Sequence, residues 1–336
     1  MEAISTSRRK RILSGMRPTG KLHVGHLMGA IENWKRLQDE FECFYMVADW
    51  HALTTAYREP QEIRARVHEM VLDYMAGGVD PERCVFYVQS DVPEIAQLHL
   101  LLSMIVPVSW LERSPSYKDQ ITQLGSDIAT YGFLGYPVLM TCDIIIFKAQ
   151  VVPVGQDQVP HLELCREIVR RFNGFYGPVF PEPHPRLTRF AAVPGLDGRK
   201  MSKSYGNDIL LADEPDTIRQ KMRNVLTDPG KVYKGDPGRP EICTVYYFHK
   251  IYNQAEEKEI FEGCHSGALG CVDCKKRCSE AIVRGLEPLQ ERRRALAANP
   301  GAIDEMLREG GMRAREVARE TLAEAREVMG LGAPRI

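Results

Sequence analysis

The chain lacks a long hydrophobic run. Nothing in its 336 residues approaches the ~20 consecutive apolar residues of a membrane-spanning helix, so no such span is expected. Its opening text, Met1-Glu2-Ala3-Ile4-Ser5-Thr6-Ser7-Arg8-Arg9-Lys10-Arg11, is basic. The apolar stretch of about 7–15 residues that completes a secretory signal does not follow it, and the cytoplasm is the expected location. Excess charge is missing too: 44 Lys and Arg face 45 Asp and Glu, a net charge of −1. Residues 1–205 carry 23 basic and 23 acidic side chains, and residues 206–336 carry 21 and 22. Neither half is a polycation, which excludes non-specific DNA coating. An RNA partner would have to use local basic clusters such as Arg8–Arg11, Lys275–Arg277 or Arg292–Arg294. There is no internal repeat. Without an export signal, the nine cysteines do not suggest disulfides.

What is present is ordinary globular text, 44% hydrophobic and 26% charged, in a length that suits about two domains. The first two hundred residues alternate short β-rich runs with helical patterns. Ile12–Ser14, Phe44–Ala48, Cys84–Val88, Val151–Val154 and Phe190–Val193 read as strands. Helices are expected from Leu22 to about Gln38, from Pro60 (apolar at Ile63, Val67, Met70, Val71 and Tyr74), over Ile95–Val106 and near His161–Phe172. This alternation predicts an α/β fold, a parallel sheet covered by helices on both faces, with ligands at the carboxyl ends of the strands. After Tyr205 the β signal fades. Glu214–Leu226 reads as a helix, the Pro/Gly-rich 228–240 as a linker, and Ala281–Ala298 and Ile303–Met329 as charged helices, together a smaller all-α region.

Two loops carry chemistry. The first strand runs into Ser14-Gly15-Met16-Arg17-Pro18-Thr19-Gly20-Lys21-Leu22-His23-Val24-Gly25-His26. A helix starting there sets His23 and His26 on one face of its first turn, where free N–H groups attract phosphate, and Gly25 leaves room for a flat ring. The second loop, Gly195-Leu196-Asp197-Gly198-Arg199-Lys200-Met201-Ser202-Lys203-Ser204, offers two lysines and hydroxyls to a polyphosphate. Each alone also fits core histidines or an exposed basic loop.

Together, and each after a strand, they resemble the HIGH signature (His23–His26) and the KMSKS signature (Lys200–Ser204) of class I aminoacyl-tRNA synthetases. The wider text at 14–37, 49–55, 136–164 and 193–206 is similar to tryptophanyl-tRNA synthetases. The resemblance implies a Rossmann-type catalytic domain, 1–205, and a helical anticodon-binding domain, 206–336, in a homodimer. It implies activation of L-tryptophan by ATP, with Mg²⁺ on the phosphates, and transfer of the tryptophanyl group to tRNA(Trp). Arg17, Pro18, Thr19, Gly25 and His26 would contact ATP; Lys200, Met201, Ser202, Lys203 and Ser204 would hold its phosphates, with Lys200, Lys203 and His26 catalytic. Gly155, Gln156, Asp157 and Gln158 match the loop that contacts ATP and substrate, and Val193 the backbone contact to adenine. Arg17 stands where many bacterial relatives have glutamine, and Gln156 where many have glutamate.

Tyr136, Met140 and Asp143 fall at i, i+4 and i+7 of a helical segment and share one face. An indole N–H only donates, whereas a phenol donates and accepts. One acceptor, Asp143, beside the adaptable Met140 therefore suits tryptophan; tyrosine enzymes resemble this stretch with glutamine at the Met140 position. His51, in Asp49–Thr54, is expected to border the substrate. Cys243, Cys264, Cys271 and Cys274, separated by 20, 6 and 2 residues and followed by Cys278, are candidate metal ligands. Four thiolates suit Zn²⁺ or an iron–sulfur cluster, and the resemblance favours [4Fe–4S]. Alternative functions at this stage are a tyrosine–tRNA ligase, a nucleotidylyltransferase, which also uses His-x-Gly-His, and a non-catalytic RNA-binding synthetase copy.

Overall fold

The computed structural model describes residues 9–113, 117, 121–122, 125–187 and 193–332, with the backbone alone for Ser126 and Asp157. Five strands form one sheet: β1 Arg11–Met16, β2 Glu42–Val47, β3 Cys84–Val88, β4 Val151–Val154 and β5 His184–Leu187. Their order is β3-β2-β1-β4-β5 and every pairing is parallel. This is the expected α/β arrangement, with the strand order of a Rossmann-type sheet. The chain leaves β1 first towards β2 and β3 and later towards β4 on its other side. The crevice between β1 and β4 is therefore the switch point where such sheets bind ligands.

Alternation along the strands builds two apolar layers. Ile12, Tyr45, Val47 and Phe86 join one buried cluster, while Leu13, Phe44, Val85 and Val152 join the other. Helices Gln61–Ala76, Glu94–Ser103 and Val159–Tyr176 match the sequence expectation within a turn or so. Of the expected strand Phe190–Val193, Phe190–Ala192 lie outside the described residues and Val193 is in no strand; the edge strand described is His184–Leu187. Its Pro185 and exposed side chains give no period-2 apolar signal, which is why pattern reading passes over it.

The later part is helical: Pro215–Arg223, Thr244–Tyr252, Glu257–His265, Cys271–Ala297 and Pro300–Val328. The last helix returns to the sheet. Its Gly310 lies so close to β3 that an added Cβ would stand 1.7 Å from the Phe86 carbonyl oxygen. Its Ala314, Ala318, Leu322 and Ala325 belong to the same core as Leu13 and Phe44. Among the described residues no helix is long and apolar enough to cross a membrane.

Candidate active site

At the carboxyl end of β1 the backbone turns through Arg17–Lys21 into a helix whose first turn is Val24–His26. That turn opens into a π-helical stretch, Leu27–Ile31, before regular helix resumes at Glu32–Glu40. The His23 backbone N–H donates to His26 Nδ1 at 3.2 Å. His26 Nδ1 is thus an acceptor, and Nε2 carries the proton of the neutral ring. Burial lowers the pKa of His26 to about 3, helped by neighbouring His23, and lowers that of His23 to about 4. Both rings are neutral at physiological pH. Among the described residues, His23 Nδ1 is buried without a hydrogen-bond partner.

The Lys200–Ser204 loop lies against this turn. A Cβ on Gly25 would stand 2.9 Å from the His23 ring, so the small residue leaves that ring its room; Met201 Cβ, from the lysine loop, would be an ordinary neighbour at 3.7 Å. Backbone bonds Val24 N to Ile209 O (2.9 Å) and Leu211 N to Leu22 O (2.8 Å) tie the segment beyond the lysines to the histidine turn. Asn207 shapes the loop by accepting from the Ser202 N–H at 2.8 Å and donating to Asp197. Met201 is buried and its N–H donates to the Val193 carbonyl. Lys200 extends into solvent. Lys203 donates its ammonium to the carbonyls of Thr19 and, at 2.9 Å, Lys21. The two sequence motifs thus meet, with one lysine held by the histidine loop.

A cavity of about 640 Å³ opens at the switch point. Its floor is Leu13–Gly15 of β1 and Val152–Val154 of β4; Arg17, His51, Tyr136, Met140, Asp143, Gly155 and Gln158 complete the wall. The helix Tyr136–Ile145 does present Tyr136, Met140 and Asp143 on one face. Arg17, expected at ATP, borders the same cavity as Tyr136, Met140 and Asp143. Gln156 is exposed in the following 3₁₀ turn, and the side chain of Asp157 lies outside the described residues.

Asp143 is fully buried. His51 Nε2 donates to its Oδ2 at 2.9 Å, and Gln89 Nε2 donates to Oδ1 at 2.8 Å. Burial pushes the Asp143 pKa up, and the donors His51 and Gln89 oppose the shift. The Tyr136 hydroxyl is bonded to His161 Nε2 at 2.6 Å, and His161 is itself buried. Sequence reading missed Gln89, His161 and Asn207. The only available signal for Gln89 was a polar residue directly after a buried strand.

A second conjunction joins the distant helix Cys271–Ala297 to the histidine turn. Asp73 accepts from the Leu22 N–H at 2.5 Å and from Arg293 Nε at 2.7 Å. Sequence reading passed over this contact too.

Cys243, Cys264, Cys271 and Cys274 are free and half-buried at one corner of the helical region. They lie near enough that each of the other three helps to raise the Cys274 pKa, to about 12, behind the larger effect of burial. The expectation of a metal site is met only this far: among the described residues no three His, Cys, Asp or Glu side chains are grouped to hold an ion. Cys274 Sγ instead sits 3.5 Å from His249 Nε2.

Comparison with known proteins agrees with this geometry. The family model of class I tRNA synthetases (W and Y) matches residues 5–287. A tryptophan–tRNA ligase of Thermotoga maritima is 51% identical over 325 residues, covering 96% of this chain and 99% of that protein. One of Aquifex aeolicus is 42% identical, covering 96% and 100%. The crystal structure of Campylobacter jejuni tryptophanyl-tRNA synthetase, complexed with ADP and tryptophan, superposes with a TM-score of 0.89 at 32% identity, covering 96% of this chain and 100% of that one. The match spans the histidine turn, the lysine loop and the helix that bears Asp143, and the chain belongs to the class I tRNA synthetases of the tryptophan and tyrosine group.

Proposed function

We propose that this chain activates L-tryptophan with ATP and passes the tryptophanyl group to tRNA(Trp). The observation that carries the reading is a buried carboxylate, Asp143, in the wall of a cavity that Arg17 of the first loop also lines. Its matched relatives are tryptophan–tRNA ligases. A donor-only indole N–H needs one acceptor, and Met140 offers a phenol no polar partner. Tyrosine is the less suited substrate, and membership of the synthetase family leaves the nucleotidylyltransferase reading without support.

In the first step a tryptophan carboxylate oxygen bonds to the α-phosphorus of ATP, the bond to the bridging oxygen breaks, and pyrophosphate leaves with the electron pair. His26 offers its Nε2–H to the phosphates. Lys200 and Lys203 bring positive charge to the departing pyrophosphate; Lys203 does so by exchanging the Thr19 and Lys21 carbonyls for phosphate oxygens. In the second step a hydroxyl at the tRNA end attacks the acyl carbon and AMP leaves. Neither step needs a covalent enzyme intermediate; the protein supplies position and charge. Mg²⁺ belongs to this reading as an ion carried by ATP.

Residues 206–336 serve in this reading as the anticodon-binding region, and the cytoplasm as the location. A homodimer is supported by Leu100, Met104 and Val108, which lie exposed near one another along the chain. A [4Fe–4S] cluster on Cys243, Cys264, Cys271 and Cys274 is supported by the convergence of four free thiols. Forming it would require the four to close further together than they stand. Iron, sulfide and zinc analysis of anaerobically purified protein tests this: about four irons absorbing near the visible edge support the cluster, and one zinc in colourless protein overturns it. The catalytic reading is tested by ATP–pyrophosphate exchange. Exchange that depends on tryptophan is expected. Exchange driven by tyrosine, or without any amino acid, would reject it, and none at all would favour a non-catalytic copy.

A further inference from the structure

We infer that Gln89 is a positioning residue for amino-acid choice: it holds the Asp143 carboxylate as a fixed acceptor for the substrate's ring N–H. The inference rests on the proposed reading of Asp143 as the group that meets the indole nitrogen.

Gln89 follows directly on β3 and starts a single 3₁₀ turn, Gln89–Asp91, at the carboxyl end of the sheet. Its side chain is fully buried, yet it does not line the cavity. It bridges two groups that do. Its Nε2 donates to Asp143 Oδ1 at 2.8 Å, and its Oε1 faces the backbone N–H of His51 at 3.4 Å. The amide can take only this orientation. Turned over, its oxygen would face a carboxylate, acceptor against acceptor, and its NH₂ would face an N–H, donor against donor. The turn itself is anchored, because Asp49 Oδ1 accepts from both the Trp50 and Ser90 N–H groups at 3.0 Å.

The consequence lies in the count of lone pairs. A carboxylate offers about four acceptor directions. His51 occupies one on Oδ2 and Gln89 one on Oδ1, so rotation of the carboxylate about its last torsion breaks one bond or the other. What remains free is fixed in direction. Gln89 does this without adding charge. A lysine or arginine here would neutralise the carboxylate and compete with the substrate's N–H, while an acidic residue would favour a protonated Asp143. A neutral donor on a rigid turn leaves the carboxylate both charged and aimed, as preorganised recognition requires. Removing the donor while leaving the slot filled should therefore loosen the reading of the ring nitrogen more than it loosens binding of the ring.

The test compares tryptophan with its benzothiophene analogue, which keeps the ring shape and lacks the N–H. The readout is the ratio of kcat/KM for the two in ATP–pyrophosphate exchange. A loss of folded enzyme lowers both constants equally and cancels from this ratio. Gln89→Met keeps the length and removes the donor. The ratio is expected to fall about tenfold, the worth of one hydrogen bond to a charged group. Asp143→Ala should lower it at least as far, and the double variant no further than Asp143→Ala alone. If Gln89→Met leaves the ratio at the wild-type value while Asp143→Ala lowers it, Gln89 is merely structural and the inference fails, with the reading of Asp143 intact. If neither variant moves the ratio, Asp143 does not read the nitrogen, and the inference falls with that reading. A double variant that loses the product of the two single effects would place Gln89's action elsewhere and overturn the inference as well.

Discussion

Around the histidine turn, the positive groups are either exposed, as Lys200 is, or parked on contacts that can be exchanged, as Lys203 is on two backbone carbonyls. The cavity at the switch point is arranged differently. Both oxygens of Asp143 are taken by buried donors, and Tyr136 is tied to a buried histidine. On the proposed reading, the difference follows the chemistry each side has to do. Charge on the phosphates redistributes during the reaction, so the groups that follow it must be able to move. The side chain of the amino acid does not change, so the groups that read it are best fixed.

The sharpest way to break this contrast is to remove the mobile charge. Lys203→Ala should lower the rate of adenylate formation by about 10²–10³-fold, as when one stabilising donor aimed at developing charge is lost. Tryptophan affinity should barely move. Single-turnover kinetics with equilibrium binding of tryptophan check it, and a large loss of affinity at an unchanged rate would reverse the assignment of the two sides.

Next in size is removal of the fixed acceptor. Asp143→Ala should cost tryptophan about 10- to 150-fold in kcat/KM, the range for a hydrogen bond of about 1.5–3 kcal/mol to a charged group. Met140→Gln adds a polar group that the indole cannot satisfy, so tryptophan should lose and tyrosine should gain relative to it. Pyrophosphate exchange with both amino acids measures this. Equal losses for tryptophan and its N–H-lacking analogue in Asp143→Ala would contradict the fixed-acceptor account.

At neutral pH the smallest effect is that of the two histidines, which appears only on acidification. In the folded chain His23 and His26 stay neutral down to about pH 4 and 3, because burial disfavours their charged forms. An unfolded histidine takes its proton near 6.5. Below 6.5 the unfolded chain binds more protons, so stability falls as the pH falls from about 6.5 to 4, by up to about 1.4 kcal/mol per pH unit for each ring. Above 6.5 these rings add no slope. Denaturant titrations of wild type and His26→Gln across that window should give a shallower fall for the variant, and identical slopes would deny that the ring stays neutral.

How much of this was legible in the text depends on distance along the chain. Tyr136, Met140 and Asp143 lie within eight residues, and helical spacing alone sets them on one face. The histidine and lysine motifs were legible as motifs, but that Lys203 rests on Thr19 and Lys21 depends on a contact across more than 180 residues. Gln89 is separated from Asp143 by 54 positions, and no local period marks it. The π-helical Leu27–Ile31 has an apolar pattern that differs little from that of a plain helix, so the sequence does not mark it. The β5 edge carries no apolar alternation at all. Periodicity reports which face a residue takes within its own element, whereas register between elements is set by packing.

The last helix also bears on how the protein comes off the ribosome. Ala314, Ala318, Leu322 and Ala325 fill the same layer as residues of β1 and β2, and Gly310 abuts the backbone of β3. More than two hundred residues of synthesis separate β3 from that helix, about 10–50 s at ordinary elongation rates. Through that interval β3 lacks the cover that this helix supplies. The order of synthesis thus makes the closing of β3 wait for a helix made long after the strand it covers.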